Sequence, residues 1–399
     1  MNVAILGYGT VGSGVYDVIT ENNEIISKRT GVPVTIKYVL DLREFPGDKV
    51  EPVLVHDYSV IMADPEVDVV VEVMGGIHPA YEFTKQALEK GIAVCTSNKE
   101  LVAKHGAEFI RLAEEKNTNY LFEASVGGGI PIIRQLIRSI TADEVESING
   151  ILNGTTNYMM TEMREKGVSF DDCLKDAQEK GFAERNPAAD IEGHDACRKI
   201  AILTSLAYGK QVDYEDIYTE GITGITSEDV LYAAALGRGI KLLGTSYRKD
   251  GKVYAMVAPK MVEASNPLYP VNGVFNAILL EGNMLGEVMC YGKGAGKLPT
   301  ASAVVSDVID AMKHRHTFIP ILWSEEKLEL GSQDAMTGRF FVRIPKEELE
   351  KARESFGELE TVSIPELTSE IGIVTGEISE AEFTEATRSL SVINRIRLM

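Results

Sequence analysis

Hydrophobic spacing changes period several times along the chain, and each change marks an element. Asn2 to Leu6 is a short apolar strand that passes at once into Gly7-Tyr8-Gly9-Thr10-Val11-Gly12. Apolar residues at helical spacing follow in S-G-V-Y-D-V-I-T-E-N-N-E-I-I. Val34 to Leu40 predicts a second strand, and the near-continuous β-branched run Asp68 to Met74 a buried parallel one. Gly75-Gly76 ends that strand, Pro79 opens a helix closed by Gly91, and Ile92 to Thr96 is the next strand. Helix Glu100 to Asn117 and strand Tyr120 to Phe122 continue the alternation. Strand and helix in turn predict an α/β doubly wound sheet, with ligands at the carboxyl ends of its strands.

From about Arg134 the alternation stops. Strand Glu146 to Leu152 leads into the polar run Asn153-Gly154-Thr155-Thr156-Asn157-Tyr158 and a helix, and a second helix spans Asp171 to Lys180. After Gly193 comes a helix that is apolar nearly all round, with Ala196, Ile200 and Leu203 on one side and Cys197, Ala201 and Ile202 on another. Such a helix is buried. Strands Ile240 to Tyr247, Val253 to Val262 and the region Ala277 to Tyr291 suggest an open mixed sheet able to pair across a dimer axis. Gly292 to Thr300 is a second glycine-rich turn, placed to close over a bound cofactor, and it opens another helix. Residues Arg315 to Asp334 read as a linker. From Gly338 the order is βαββαβ, an independent small domain of about sixty residues.

Composition narrows the class. The 399 residues, 44% hydrophobic and 25% charged, suggest two or three domains of an ordinary globular protein. No apolar run reaches the ~18 residues that a membrane span needs, and no leader precedes the first strand, so the expected location is the cytoplasm. A net charge of −20 disfavours nucleic acid and anionic lipid as partners. Cys95, Cys173, Cys197 and Cys290 are scattered without metal-ligand spacing, and His194 stands alone.

Candidate chemistry sits at five places. Between a strand and a helix, G-x-G-x-x-G is the dinucleotide fingerprint: Gly7 for the turn, Gly9 for close backbone approach, Gly12 for helix packing. Asp41, just past the second strand, is placed for a ribose hydroxyl and favours NAD, whereas nearby Arg43 favours the phosphate of NADP. Lys99 follows the strand ending at Thr96, where a lone lysine is ordinarily a solvated loop residue. Gly127-Gly128-Gly129 could turn carbonyls toward a cation or merely make a tight crossover. Asp195 and Lys199 lie four apart on the apolar helix. An exposed pair there would contribute only ~0.3–0.5 kcal/mol, but a buried pair is retained when chemistry needs it. Glu184 and Asp190 carry further carboxylates into the same helix.

The runs N-G-I-L-N-G-T-T-N-Y-M from Asn149 and A-D-I-E-G-H-D-A-C-R-K-I-A-I-L from Ala189 resemble homoserine dehydrogenase. So do S-N-K-E-L-V-A, E-A-S-V-G-G-G-I-P-I-I and G-A-G-K-L-P-T-A-S-A-V-V-S-D, and the resemblance spans residue 1 to about 320. It implies NAD(P)-dependent interconversion of L-homoserine and L-aspartate 4-semialdehyde, toward threonine, methionine and isoleucine. It implies a Rossmann-type domain over 1–133, to which 297–320 return, and an α+β substrate-binding and dimerisation domain over 134–296. Residues 338–399 are similar to a ferredoxin-like ACT domain, open to an amino-acid effector. The resemblance makes Lys199 the acid/base, with Asp195 and Lys99 beside it, and Glu184 and Asp190 substrate ligands. Cofactor contacts fall at Gly7, Gly9, Thr10, Val11, Gly12, Asp41, Thr96, Lys99 and Gly296. Glu123, Val126, Gly128 and Ile130 match a loop that holds sodium through backbone oxygens, and a homodimer or homotetramer is implied. Leu40 stands where NADP users often carry a basic residue, and Ile344-Pro345-Lys346 replaces the Pro-Gly turn usual in the ACT-like segment. A regulatory nucleotide sensor, the competing class, predicts loss of Lys199 or Asp195, and both are present. A cysteine-based acylating enzyme needs an accessible nucleophile, which Cys197 inside an apolar helix does not offer.

Overall fold

In the computed structural model, which describes Met1 to Met399, six parallel strands form one sheet. Their spatial order is Leu54–Val55, Thr35–Leu40, Asn2–Leu6, Val67–Glu72, Ala93–Thr96 and Tyr120–Leu121. The chain winds outward from Asn2–Leu6 in one direction and then in the other, so the order reverses between that strand and Val67–Glu72. Val3, Ile5, Val69 and Val71 point into a core closed by Val15 and Ile19 of helix Thr10–Glu21. Val304, Val305 and Val308 of helix Lys297–Lys313 complete that core. Each such aliphatic side chain contributes roughly 1.5–3 kcal/mol on burial. The two helices touch at Gly14, where a Cβ would lie 2.8 Å from the Lys297 carbonyl oxygen.

This sheet belongs to the first of two compact units, Met1–Glu144 with Ala201–Asp213 and Gly292–Leu328. The second comprises Val145–Ile200, Tyr214–Tyr291 and Glu329–Met399. The division falls within the apolar helix His194–Tyr208, which the sequence reading assigns whole to the middle domain. Part of the expected linker is also structured, since Ser324–Lys327 pairs with Lys210–Gln211 inside the first unit.

The second unit is built on a mixed sheet. Along it run Gly286–Lys293, Phe275–Gly282, Val145–Ile151, Arg238–Lys249, Lys252–Glu263, Asn394–Leu398, Phe340–Pro345, Glu370–Val374 and Glu360–Val362. Short strand Tyr218–Thr219 adds to Lys252–Glu263 from the side. The C-terminal βαββαβ segment places its fourth strand beside its first, and Phe340, Val342, Ile373 and Phe383 give it an apolar cluster of its own. The segment is nevertheless not set apart from the rest. Its last strand pairs parallel with Lys252–Glu263, matching Lys260 to Arg397 and Met261 to Leu398. A buried lysine braces the other end of the unit. The Lys241 ammonium donates to Asn157 Oδ1 at 3.0 Å and Asn272 Oδ1 at 3.1 Å, fixing helix Gly154–Lys166 against the sheet.

Candidate active site

The first unit carries the glycine loop at the carboxyl end of its central strand. Gly7 holds φ at +97° and donates its N–H to the Leu40 carbonyl at 2.8 Å. A Cβ at Gly12 would lie 1.9 Å from the Gly7 carbonyl oxygen, so the turn admits no side chain there. Gly9 caps helix Thr10–Glu21 and has open space where its Cβ would point. The turn's first internal bond runs from the Ser13 N–H to Gly9, which leaves the Thr10, Val11 and Gly12 N–H groups for an anion. A cavity of about 500 Å³ opens beside the loop, lined among others by Gly7, Gly9, Asp41, Arg43, Tyr58 and Phe83. These features fit a dinucleotide.

Asp41 lines that cavity but does not stand alone. Its carboxylate accepts the Tyr8 N–H at 2.8 Å and a fork from Arg43, Nε at 2.9 Å and Nη2 at 2.8 Å. The Arg43 bond holds it well below the usual carboxylate range. Any ribose hydroxyl must therefore share Asp41 with an exposed guanidinium. Thr96 is fully buried and its hydroxyl is committed, donating to Glu72 at 2.7 Å and accepting the Asn98 N–H at 2.9 Å. The expected cofactor contact at Thr96 is thus left to its backbone. Lys99 is the first residue of helix Lys99–Glu115, whose cap Asn98 accepts the Leu101 N–H and donates to the Gly76 carbonyl. Gly296, with φ at +118°, opens helix Lys297–Lys313.

The second glycine-rich turn does not stand open. It packs on the Gly127–Gly129 turn, where Gly129 N–H donates to the Lys293 carbonyl and a Cβ at Gly128 would lie 2.5 Å from the Gly294 oxygen. Within this buried loop Gly127 and Gly128 hold φ at +72° and +54°. The Glu123 carboxylate accepts the Ile133 and Arg134 N–H groups, both at 2.9 Å, and burial pushes its pKa up. Its side chain is occupied, so a cation here has backbone carbonyls to use. No group of three or more His, Cys, Asp or Glu side chains is arranged to hold a metal.

The second unit holds a buried polar cluster at the junction of two helices. Asn153 caps helix Gly154–Lys166 by accepting the Thr156 N–H. Its amide donates to Asp190 at 2.6 Å and to Asp195 at 2.9 Å. Lys199 donates to the same Asp195 carboxylate at 2.7 Å and to the Leu152 carbonyl at 2.8 Å. Asp195 and Lys199 are only 4% and 8% exposed, so this is no solvated surface pair. Removing one partner of such a pair costs about 3–5 kcal/mol, against a few tenths at the surface. The cluster can hold an ammonium proton in a defined direction with two carboxylates at hand. Glu184 lies apart from it on the exposed loop before Asp190, tied down only by its carbonyl, which accepts from Gln178. Cys197 is buried with Sγ on the Tyr214 carbonyl, and exposed His194 pairs with Glu192.

Two residues of these sites carry weak sequence signals. Asn153 bridges both aspartates, and its only local sign is an asparagine in front of a helix. Glu72, at the end of a buried strand, spans from the Met74 N–H to Thr96 and pins the sheet's carboxyl edge. A carboxylate closing a β-branched run is the sign there.

Comparison with known proteins places these features in one family. The profile described as homoserine dehydrogenase matches residues 131–309, and that described as homoserine dehydrogenase, NAD binding domain, matches 7–123. The chain is 45% identical to a homoserine dehydrogenase of Neisseria gonorrhoeae over 313 residues, 78% of this chain and 72% of that one. It is 37% identical to that of Bacillus subtilis over 410 residues, 98% and 95% of the two chains. The crystal structure of a homoserine dehydrogenase from Thiobacillus denitrificans superposes with a TM-score of 0.90 at 35% identity, covering 100% of this chain and 98% of that one.

Proposed function

The chain belongs to the homoserine dehydrogenase family, and on that premise we propose how its own residues carry out NAD(P)-dependent interconversion of L-homoserine and L-aspartate 4-semialdehyde. The observation that carries the assignment of roles is the buried Asp195–Lys199 pair, bridged by Asn153 to Asp190. Gly7, Gly9, Thr10, Val11, Gly12 and Gly296 hold the cofactor, whose nicotinamide when bound gives hydride to the aldehyde carbon or takes it from the alcohol carbon. Reduction leaves negative charge on the substrate oxygen, and the Lys199 ammonium delivers a proton there, taking it back in the oxidative direction. Asp195 aims that ammonium through its hydrogen bond. Asp190 and Glu184 supply carboxylates for the substrate's own ammonium, and Lys99 a cation for the cofactor end of the site. Asp41 and Arg43 together set the choice between NAD and NADP.

Three further readings belong with this one. The carbonyls of Glu123, Val126, Gly128 and Ile130 hold a sodium ion of structural role, which the buried turn at Gly127 and Gly128 supports. The βαββαβ segment is ACT-like, as its strand order supports. Two copies pair through the sheet, a reading supported by exposed Met289 and Tyr291 on its edge strand. No helix is long and apolar enough to cross a membrane, in keeping with work in the cytoplasm.

The test is absorbance of the reduced nicotinamide with L-homoserine, with NAD and NADP in separate assays, for wild type and Lys199→Ala. Wild type is expected to turn over and the variant to lose on the order of 10²-fold or more in kcat. Wild type that binds cofactor yet turns nothing over would sink the reading. A fully active Lys199→Ala would sink the assignment of the acid/base.

A further inference from the structure

Glu220 lies outside the cluster just described and touches none of its side chains, yet the backbone around it is pressed against the turn that carries them. Short strand Tyr218–Thr219 runs beside Lys252–Glu263, and the Glu220 N–H donates to the Val257 carbonyl at 2.8 Å. Two residues on, the Ile222 N–H donates to the Ile191 carbonyl at 2.8 Å. Between them Gly221 has no room at all, since a Cβ would lie 2.1 Å from the Ile191 oxygen and 2.5 Å from the Glu192 Cα. On the far side of the turn, a Cβ at Gly193 would meet Thr219 and Val257 at 3.1 and 3.2 Å. Residues 219–222 therefore wrap the Ile191–Gly193 turn, and that turn joins Asp190 to Asp195.

The wrapping segment is anchored from the C-terminal strand. The Glu220 carboxylate accepts from Arg397 Nη1 at 2.8 Å and from the Tyr218 hydroxyl at 3.0 Å, and Arg395 stands 3.3 Å away. Arg397 is itself buried and forks onto Glu380, also buried. A planar guanidinium held in this way orients the carboxylate it bonds.

We propose that Glu220 is a positioning residue for the dehydrogenase reaction, through which Arg395 and Arg397 of the C-terminal strand fix the turn that aims Asp190 and Asp195. The inference rests on the functional reading above. Nothing in it requires an effector. It makes the C-terminal segment part of the catalytic apparatus whether or not that segment binds a ligand.

Steady-state kinetics with L-homoserine on Glu220→Gln, Arg397→Gln and the double variant test it, with cofactor Kd and Tm measured in parallel. A displaced carboxylate far from the reacting atoms costs up to ~10²-fold, and loss of one anchor is expected to lower kcat/KM roughly tenfold. Cofactor Kd is expected to stay at the wild-type value, because the glycine loop is untouched. The double variant is expected to match the worse single variant, the mark of one shared interaction. Arg397→Lys, which keeps a charge for Glu220, is expected to recover part of the loss. Arg339→Gln, which breaks an exposed pair with Glu360 in the same segment, is expected to leave kcat/KM unchanged. If Arg397→Gln fails to fold, Arg395→Gln, a less buried partner, takes its place. Kinetics of Glu220→Gln within twofold of an active wild type overturn the proposal alone. A parallel loss of cofactor affinity and Tm also overturns it, because the effect is then general unfolding. An inactive wild type overturns the functional reading with it.

Discussion

Each unit buries a cluster of charges, and the two clusters are put to different ends. In the first unit the Arg134 guanidinium reaches Asp307, Asp310 at 3.0 Å and, at 3.9 Å, Glu123. The remaining capacity of that cluster is spent on backbone: Glu123 caps the turn at Ile133 and Arg134, and Asp307 accepts the Glu123 N–H at 2.8 Å. Arg138 stands 3.5 Å from Asp310 as well, and full burial, with the Glu123 and Asp310 carboxylates nearby, pushes the Asp307 carboxyl up to about 8. In the second unit Lys199 donates to the Asp195 carboxylate and to the Leu152 carbonyl, and Asn153 links Asp195 to Asp190. Burial of charge is common to both. What differs is direction: one cluster ties two loops and a helix together, whereas the other aims an ammonium and two carboxylates from the ends of helices. Burial of an ion pair alone thus does not separate the two, and only the second cluster carries the proton donor of the proposed reaction.

Substitutions can break this contrast. The largest effect expected on turnover is the Lys199→Ala loss already described, and its counterpart is Arg134→Gln. That change strands buried carboxylates and is expected to cost about 3–5 kcal/mol of stability while leaving kcat per folded molecule intact. Denaturant melts read beside active-site-normalised kinetics would show it, and a fall in kcat at unchanged stability would erase the distinction. Asp307→Asn sharpens the same point through pH. With its pKa raised from 3.8 to about 8, native Asp307 holds a proton that the unfolded chain releases across that window. Its stabilising contribution is full at low pH and is lost as pH rises through about 8. The wild-type Tm should therefore fall with rising pH more steeply than that of Asp307→Asn, and parallel profiles would rule the charged cluster out as the cause. Smallest is the cation. Replacing sodium by tetramethylammonium at constant ionic strength is expected to remove on the order of 1 kcal/mol, a few degrees of Tm. Superimposable melting curves would remove sodium from the account.

The same contrast shows what a sequence can disclose. Gly7 to Gly12 is legible because its chemistry is local: strand, turn and helix lie within a few residues, and Gly12 answers to a contact inside that turn. The Asp195–Lys199 pair is legible for a similar reason, since four residues on a helix fix a neighbour. Asn153 is not, because its bridging role depends on Asp190 and Asp195 arriving from some forty residues away. Asp41 was half legible: its position was readable, but the Arg43 fork that changes its chemistry depends on side-chain geometry. Helices Tyr58–Ala63 and Ser227–Ala235 escape the periodicity because each gives too few turns to show a repeating face. The βαββαβ pattern was clear, but the pairing of its last strand with Lys252–Glu263 leaves no trace in either segment.

That pairing has a consequence for biogenesis. Asn394–Leu398 lies between Lys252–Glu263 and Phe340–Pro345 and follows both in the chain. A ribosome therefore delivers both neighbours before the strand that joins them. Until it emerges, both neighbours present open edges to the cell, the kind of surface on which nascent chains pair wrongly. Arg395 and Arg397, carried by this late arrival, add charge to the one strand that must find its slot among edges already made.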